Sequence, residues 1–128
     1  MREISELESV GDACYNLARS INRRKQSDTD FTEDQYKHLH EIMQLADESL
    51  TQMNKVMHGR REEMDLNESY RIENAINTKR DDLKKQNIED VNNQLYTYAL
   101  GTMYSDVVRE CEKLGDYVVN IVEARLGK

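Results

Sequence analysis

The sequence predicts an all-α protein, folded as an antiparallel, up-down-up-down four-helix bundle. The chain of 128 residues contains no Pro and only 5 Gly, so few residues interrupt helices. Charged residues make up 34 % of it, and apolar residues recur at three- and four-residue spacing in four successive stretches. We therefore expect a single domain, residues 1–128, that is large enough to bury its own core.

Helix A is predicted from Glu3 to Lys25. Helix B is predicted to begin at Glu33, because Thr32 can act as the N-cap and Gln35 can complete a capping box. Phe31, before the cap, is expected to pack on Tyr36 as a hydrophobic staple. Gly59 is the predicted end of helix B. The inward positions of helix A are Ile4, Leu7, Gly11, Cys14, Ala18 and Ile21, and those of helix B are Tyr36, Leu39, Met43, Ala46, Leu50, Met53 and Met57.

Helix C is predicted from about Asn67 to about Asp90, and it is the most polar of the four. The chain then turns around Asn92 and Asn93, and helix D continues to near Arg125. Short connections of this kind join antiparallel neighbours in a bundle. The inward positions are Ile72, Ile76 and Leu83 on helix C, and Leu100, Met103, Val107, Cys111, Leu114, Val118 and Ile121 on helix D.

A short pattern is written twice, 104 residues apart. The segment L-E-S-V-G-D-A-C-Y-N-L-A at 7–18 aligns with C-E-K-L-G-D-Y-V-V-N-I-V at 111–122. The alignment matches Glu8 with Glu112, Gly11 with Gly115, Asp12 with Asp116 and Asn16 with Asn120. Residues spaced i, i+4 on a helix share one face, so each copy presents two carboxylates together.

Helices A and D are antiparallel neighbours in the predicted topology, which brings the two copies to similar heights. A glycine inside a helix costs about 0.5–1 kcal/mol relative to Ala, so the paired glycines indicate a close approach. We therefore expect the acids to converge in the groove between A and D, where a cation would relieve their repulsion. Oxygen ligands favour Mg²⁺, Ca²⁺, Mn²⁺ or ferric iron over Zn²⁺. The predicted ligands are Glu8, Asp12, Glu112 and Asp116. In the alternative interpretation, both acidic faces are solvated and only record a duplication.

Other candidate ligands are weaker. Glu73 and Asn77 repeat the i, i+4 spacing on helix C and are candidates for outer-shell contacts, although a helix-surface salt bridge with Arg80 nearby is the simpler interpretation. The histidines are expected on the surface, because the Glu-x-x-His pattern of di-iron bundles is absent. They are His38, His40 and His58.

Composition also narrows the class of function. The formal net charge of −7 argues against nucleic acid or an anionic bilayer as the main partner. No nucleophile with a base and no phosphate-binding glycine loop is present, so no enzyme is indicated. Cys14 and Cys111 fall on predicted apolar stripes and are expected to be buried thiols in a reducing compartment. No apolar run reaches the roughly 20 residues of a membrane span, so we expect a soluble polypeptide.

The chain resembles the PhoU family of phosphate regulators. The resemblance is carried by E-S-V-G-D-A-C-Y-N at 8–16 and E-K-L-G-D-Y-V-V-N at 112–120. Members of that family are helical bundles whose paired Glu/Asp-x-x-x-Asp motifs carry multinuclear metal clusters, often of iron. The resemblance thus implies the same four metal ligands that the repeat indicates, with Mg, Mn or Fe as the metal.

Two further segments, R-E-E-M-D-L at 61–66 and E-N-A-I-N-T-K-R at 73–80, look like the PhoU-like tail of bacterial sodium/phosphate cotransporters. The resemblance therefore implies a non-enzymatic regulatory domain at the cytoplasmic face of the membrane, with the membrane part of the transporter as its partner. Two alternatives remain open. One is a free-standing PhoU-like regulator of the phosphate-uptake machinery, although that regulator has two such bundles and this chain has one. The other is a metal-free helical interaction module, and a homo-oligomer is possible in each case.

Overall fold

A computed structural model of the protein describes residues 8–17, 19, 31–59 and 66–127. These residues form four helices: α1 over residues 8–17, α2 over Glu33–His58, α3 over Leu66–Asn92 and α4 over Tyr98–Arg125. No strand occurs among them. The protein is an all-α four-helix bundle, as predicted.

Helix α4 is the centre of the bundle. Helices α2 and α3 each pack on α4 and also on each other, and α1 adds Val10 and Ala13 to the same core. Contact from several sides explains why thirteen residues of α4 are buried. All the inward positions predicted for helix D are buried except Met103, which is half-buried. No helix in the described part of the chain is long and apolar enough to cross a membrane.

The predicted start of α2 is confirmed. The Gln35 backbone N–H donates to Thr32 Oγ1 at 3.1 Å, and the Thr32 N–H donates to Gln35 Oε1 at 2.9 Å, which completes the capping box. The Phe31 and Tyr36 rings pack edge to face with centroids 5.7 Å apart. At the other end, the Gly59 N–H donates to the Lys55 carbonyl, so Gly59 caps the helix as predicted.

The inward face predicted for α2 is only partly correct. Leu39, Ala46 and Met53 are buried as predicted. The other four buried positions keep the seven-residue spacing but each lies one residue earlier than predicted, at Gln35, Ile42, Ser49 and Val56 in place of Tyr36, Met43, Leu50 and Met57. Tyr36 is exposed while the polar Gln35 is buried, because the Gln35 side chain completes the cap and the Tyr36 ring packs on Phe31 at the edge of the core. The buried residues are Gln35, Leu39, Ile42, Ala46, Ser49, Met53 and Val56.

The stripe predicted for helix A is also displaced by one residue. The structure buries Val10 and Ala13, whereas Gly11 and Cys14 are exposed. The prediction that Cys14 is a buried thiol is therefore wrong, while Cys111 is fully buried as predicted. Burial, and next the neighbouring Glu110, raises the pKa of Cys111 to about 12. The remaining stripe positions, Ile4, Leu7, Ala18 and Ile21, and the predicted end at Lys25 lie outside the described residues.

A tight turn joins α3 to α4, close to the predicted position. Leu95 N–H donates to the Asp90 carbonyl and Gln94 N–H donates to the Val91 carbonyl, the pair of bonds that defines a Schellman motif. Gln94 takes the left-handed conformation that this motif requires, with φ of 61°. The turn directs α4 back along α3, whose Ile72, Ile76 and Leu83 are buried as predicted.

Candidate metal-binding site

The acidic pair of α4 faces α3. Glu112 accepts a hydrogen bond from the Arg80 guanidinium and forms an ion pair with it. The Arg80 side chain is 28 % exposed and the Glu112 side chain is 21 % exposed, so the ion pair is partly shielded from water. Arg80 also pairs with Asp81, at 2.9 Å, on the outer side of α3. Glu112 is thus neutralised by a neighbouring helix without any metal.

One helical turn further along α4, the Asp116 carboxyl group meets that of Glu73 on α3. Burial in the helix interface raises the pKa of Glu73 above its ordinary value, and a hydrogen bond to Asp116 and the negative charges of Asp116 and Glu123 raise it further. A cation bound by these two carboxyl groups would relieve the repulsion between their like charges.

Asn77 lies between Glu73 and Arg80 along α3, at i+4 from Glu73 and on the same face of the helix. Its Oδ1 atom is buried and has no hydrogen-bond partner among the residues that the structure describes. Leaving a buried acceptor unsatisfied costs roughly 1–3 kcal/mol. An amide oxygen is also a good ligand for Mg²⁺, Mn²⁺ or Ca²⁺. The unpartnered oxygen therefore fits a hard cation held by Glu73 and Asp116.

Gly115 explains how α3 comes so close to this part of α4. A Cβ atom added at Gly115 would lie 3.0 Å from Cδ1 of Ile76, and no larger side chain fits there without displacing that isoleucine. Gly115 therefore faces α3. The prediction that Glu112 and Asp116 face a groove shared by helices A and D is accordingly wrong, because the residue between them packs against the third helix and Glu112 pairs with it.

The other predicted pair, Glu8 and Asp12, lies exposed on α1. A Cβ atom added at Gly11, between them, would meet no atom of the described residues within 4 Å. Among the described residues, no three Asp, Glu, His or Cys side chains form a group suited to a metal ion. The structure thus brings together Glu73 and Asp116 in a pair, with Glu112 on the next turn, and leaves the α1 acids apart on the surface.

The sequence assigned Glu73 only an outer-shell role, whereas the structure places its carboxyl group close to that of Asp116. The signal was present in the shared i, i+4 spacing, since Glu73 and Asn77 on one helix mirror Glu112 and Asp116 on the other. Two matched ladders on antiparallel helices are able to face each other when a small residue lets the helices approach. In the structure, Gly115 is the small residue that lets α3 approach α4.

No family model, no curated protein and no solved structure matches this chain. The protein is therefore classed by its fold, an all-α four-helix bundle, and by the carboxyl pair between α3 and α4.

Proposed function

We propose that this chain is a metal-binding, non-enzymatic regulatory domain of a sodium-dependent phosphate cotransporter, located at the cytoplasmic face of the membrane. The resemblance of the two Glu-x-x-Gly-Asp segments to the PhoU family supports the regulatory part of this proposal. The observation that carries the metal-binding part is the Glu73–Asp116 carboxyl pair beside the unpartnered Asn77 oxygen.

In this proposal, Glu73, Asp116 and Asn77 supply the oxygen ligands for Mg²⁺, Mn²⁺ or an iron ion. The bound ion relieves the repulsion between the two carboxyl groups and also satisfies the amide oxygen, so it stabilises the interface between α3 and α4. Glu112 is one turn away on the same face of α4 and becomes a further ligand if it leaves Arg80. The ion then adjusts how tightly α3 is held against the central helix, which is the physical change available for a transporter to sense.

The pair Glu8 and Asp12 belongs to the same proposal as the ligands of a second ion. On α1 these acids have no facing helix among the described residues, so a second ion would need oxygen ligands from outside them. Binding at the two pairs is therefore expected to differ, with the α3–α4 site binding first.

Thermal unfolding of chelator-treated protein tests the metal site directly. A ligand that binds only the folded state adds about 2.7 kcal/mol at one hundred times its dissociation constant. We expect Mn²⁺, Mg²⁺ or ferrous iron to raise the Tm, and Asp116→Asn to abolish the rise. Asp12→Asn is the matched control, since the same change on α1 should leave the first binding event intact. A Tm that is the same with and without each of these ions contradicts the metal site.

That negative result would favour a metal-free helical interaction module. A specific observation supports this second candidate: Arg80 already neutralises Glu112 without a metal. The transporter part is tested separately by the genomic reading frame around this sequence, in which several apolar spans of roughly 20 residues are expected upstream of Met1. A reading frame without them, together with a second PhoU-like bundle, would favour the free-standing regulator of phosphate uptake.

A further inference from the structure

The two copies of the repeated segment have the same pattern and opposite surroundings. Gly115 on α4 is buried against Ile76 of α3, while its counterpart Gly11 on α1 is exposed and faces open space. A glycine in the middle of a helix is less stable there than an alanine would be. In α4 this cost is offset by the close approach of α3. In α1 the same cost appears without a neighbour among the described residues to account for it.

The apolar residues beside the glycine show the same contrast. Val118 and Val119 of α4 are 1 % and 5 % exposed. Their counterparts in the 104-residue alignment are Cys14, which is exposed, and Tyr15, which is 65 % exposed. Arg19 lies over the Tyr15 ring at 5.8 Å, yet most of the ring still faces solvent. The side of α1 that corresponds to the covered side of α4 is therefore uncovered.

The charges on that side indicate what kind of surface fits it. On α4, Glu112 pairs with Arg80 of the helix that packs on Gly115. On α1, the equivalent Glu8 is exposed, and so is Asp12. A surface that covers them must bring positive charge or exclude water at a cost of several kcal/mol per unpaired ion. We call the exposed side formed by Glu8, Gly11, Asp12, Cys14 and Tyr15 the open face of α1.

We propose that the open face of α1 is a docking surface for a helix with the residue pattern of α3. Such a helix carries a branched aliphatic side chain that packs on Gly11 and a basic side chain, one turn away, that pairs with Glu8. The internal repeat is the reason for this choice of partner, because α4 shows what this pattern of residues binds when it is covered. The docked helix covers Cys14 and Tyr15, whose counterparts Val118 and Val119 are buried in α4.

A second copy of this chain does not meet these requirements. Two open faces pressed together would bring Glu8 and Asp12 of each copy against the same acids of the other, and like charges across an interface cost several kcal/mol. The α3 helix of another copy is not free either, since its Ile76 is 1 % exposed and packs on its own α4. The occupant is therefore an additional helix rather than a partner in a symmetric dimer.

A lengthened chain provides the test. Residue 105 is the counterpart of residue 1 in the alignment, so a second copy of residues 31–104 joined directly to Met1 would lead into α1 as the original segment leads into α4. The added α3 then has the connection it needs to reach the open face. The measurement is the rate at which a thiol reagent modifies Cys14, and the buried Cys111 in the same molecule is the internal control for unfolding.

In the original chain, we expect Cys14 to react readily and Cys111 to react only when the protein unfolds. In the lengthened chain, we expect the rate at Cys14 to fall at least tenfold while Cys111 is unchanged. Replacing Ile76 by Asp in the added copy alone should restore the fast rate without touching the original core. Gly11→Leu should restore it as well, by filling the space that the isoleucine needs.

Two results would overturn the proposal. One is equal reactivity of Cys14 in the original and lengthened chains, with both chains folded and monomeric. The other is a concentration-dependent loss of Cys14 reactivity in the original chain, accompanied by dimer formation in sedimentation, which would identify a second copy as the occupant. A tenfold protection that persists with Ile76→Asp in the added copy would show nonspecific cover and would also refute the pairing.

Discussion

The two equivalent glycines should respond to the same substitution in opposite directions. Changing either to Ala removes the helix-propensity cost of glycine, a gain of about 0.5–1 kcal/mol. At Gly11 the new methyl group meets no atom of the described part of the chain within 4 Å, so the gain should be fully expressed. At Gly115 the methyl group would lie 3.0 Å from Ile76 Cδ1, inside the usual 3.5–4.0 Å between carbon atoms. Ile76 is 1 % exposed, so it has little room to move away.

Forcing an extra methyl group into a packed interface typically costs about 1–3 kcal/mol. Subtracting the propensity gain, we expect Gly115→Ala to range from neutral to a loss of about 2.5 kcal/mol, whereas Gly11→Ala gains about 0.5–1 kcal/mol. The propensity term cancels in the difference between the two variants, which therefore measures the packing cost alone. Urea unfolding followed by circular dichroism gives both free energies of unfolding. If the two variants shift the stability by the same amount and in the same direction, the packing of Gly115 on α3 is wrong.

Two more substitutions test the interface between α3 and α4. Gln94→Gly should raise the free energy of unfolding by about 1 kcal/mol, because Gln94 holds a positive φ that costs a non-glycine residue roughly 1–2 kcal/mol. The control is Gln86→Gly, at an exposed position inside α3, which should instead lower the free energy of unfolding. Arg80→Ala should lower the stability by roughly 1 kcal/mol and make it less sensitive to salt, since Glu112 loses its partner. Arg109→Ala is its control, a more exposed i, i+3 pair within α4 that should change stability far less. Equal effects of the two arginine changes would contradict the special role of the Arg80–Glu112 pair.

The parts of the fold that depend on neighbours in sequence were predictable. The cap formed by Thr32 and Gln35 is a local structure, since both partners lie within one helical turn, and the sequence predicts it fully. The turn after α3 was predicted at Asn92 and Asn93, and the structure places its left-handed residue one position later, at Gln94. The buried positions of α4 were predicted well because it is covered on several sides, so almost any apolar residue on it is buried.

The parts that depend on which helices face each other were not predictable to the same extent. The spacing of Glu112 and Asp116 fixes their face on α4, but nothing local shows whether α1 or α3 covers that face. The same ambiguity explains the displaced stripe of α1. The sequence marks Gly11 and Cys14 as an inward side, which is correct for their counterparts in α4, but in α1 no described helix covers that side. Pattern alone indicates a surface that is suited to burial, and a neighbour must be present to bury it.

Removing the charge of Glu73 should change the stability of the protein in opposite directions with and without a bound metal ion. Burial first, and Asp116 second, raise the pKa of Glu73 above its ordinary 4.5. A carboxyl group with a raised pKa in the folded state contributes stability that is present below its unfolded pKa and is lost as the pH rises through its folded value. With chelator present, Glu73→Gln should therefore stabilise the protein at pH 7, by an amount of the order of 1 kcal/mol, the Coulomb energy of two charges about 4 Å apart in water.

That advantage should disappear below about pH 4, where the wild-type carboxyl group is protonated in both states. Glu89→Gln, an exposed position on the same helix, is the control and should show neither effect. With saturating Mn²⁺ the order of stability should reverse, because the wild-type protein then gains the binding energy of an ion for which the Glu73→Gln variant has lost a ligand. A stabilising effect of the substitution that persists unchanged in Mn²⁺ would show that the pair does not hold a metal ion.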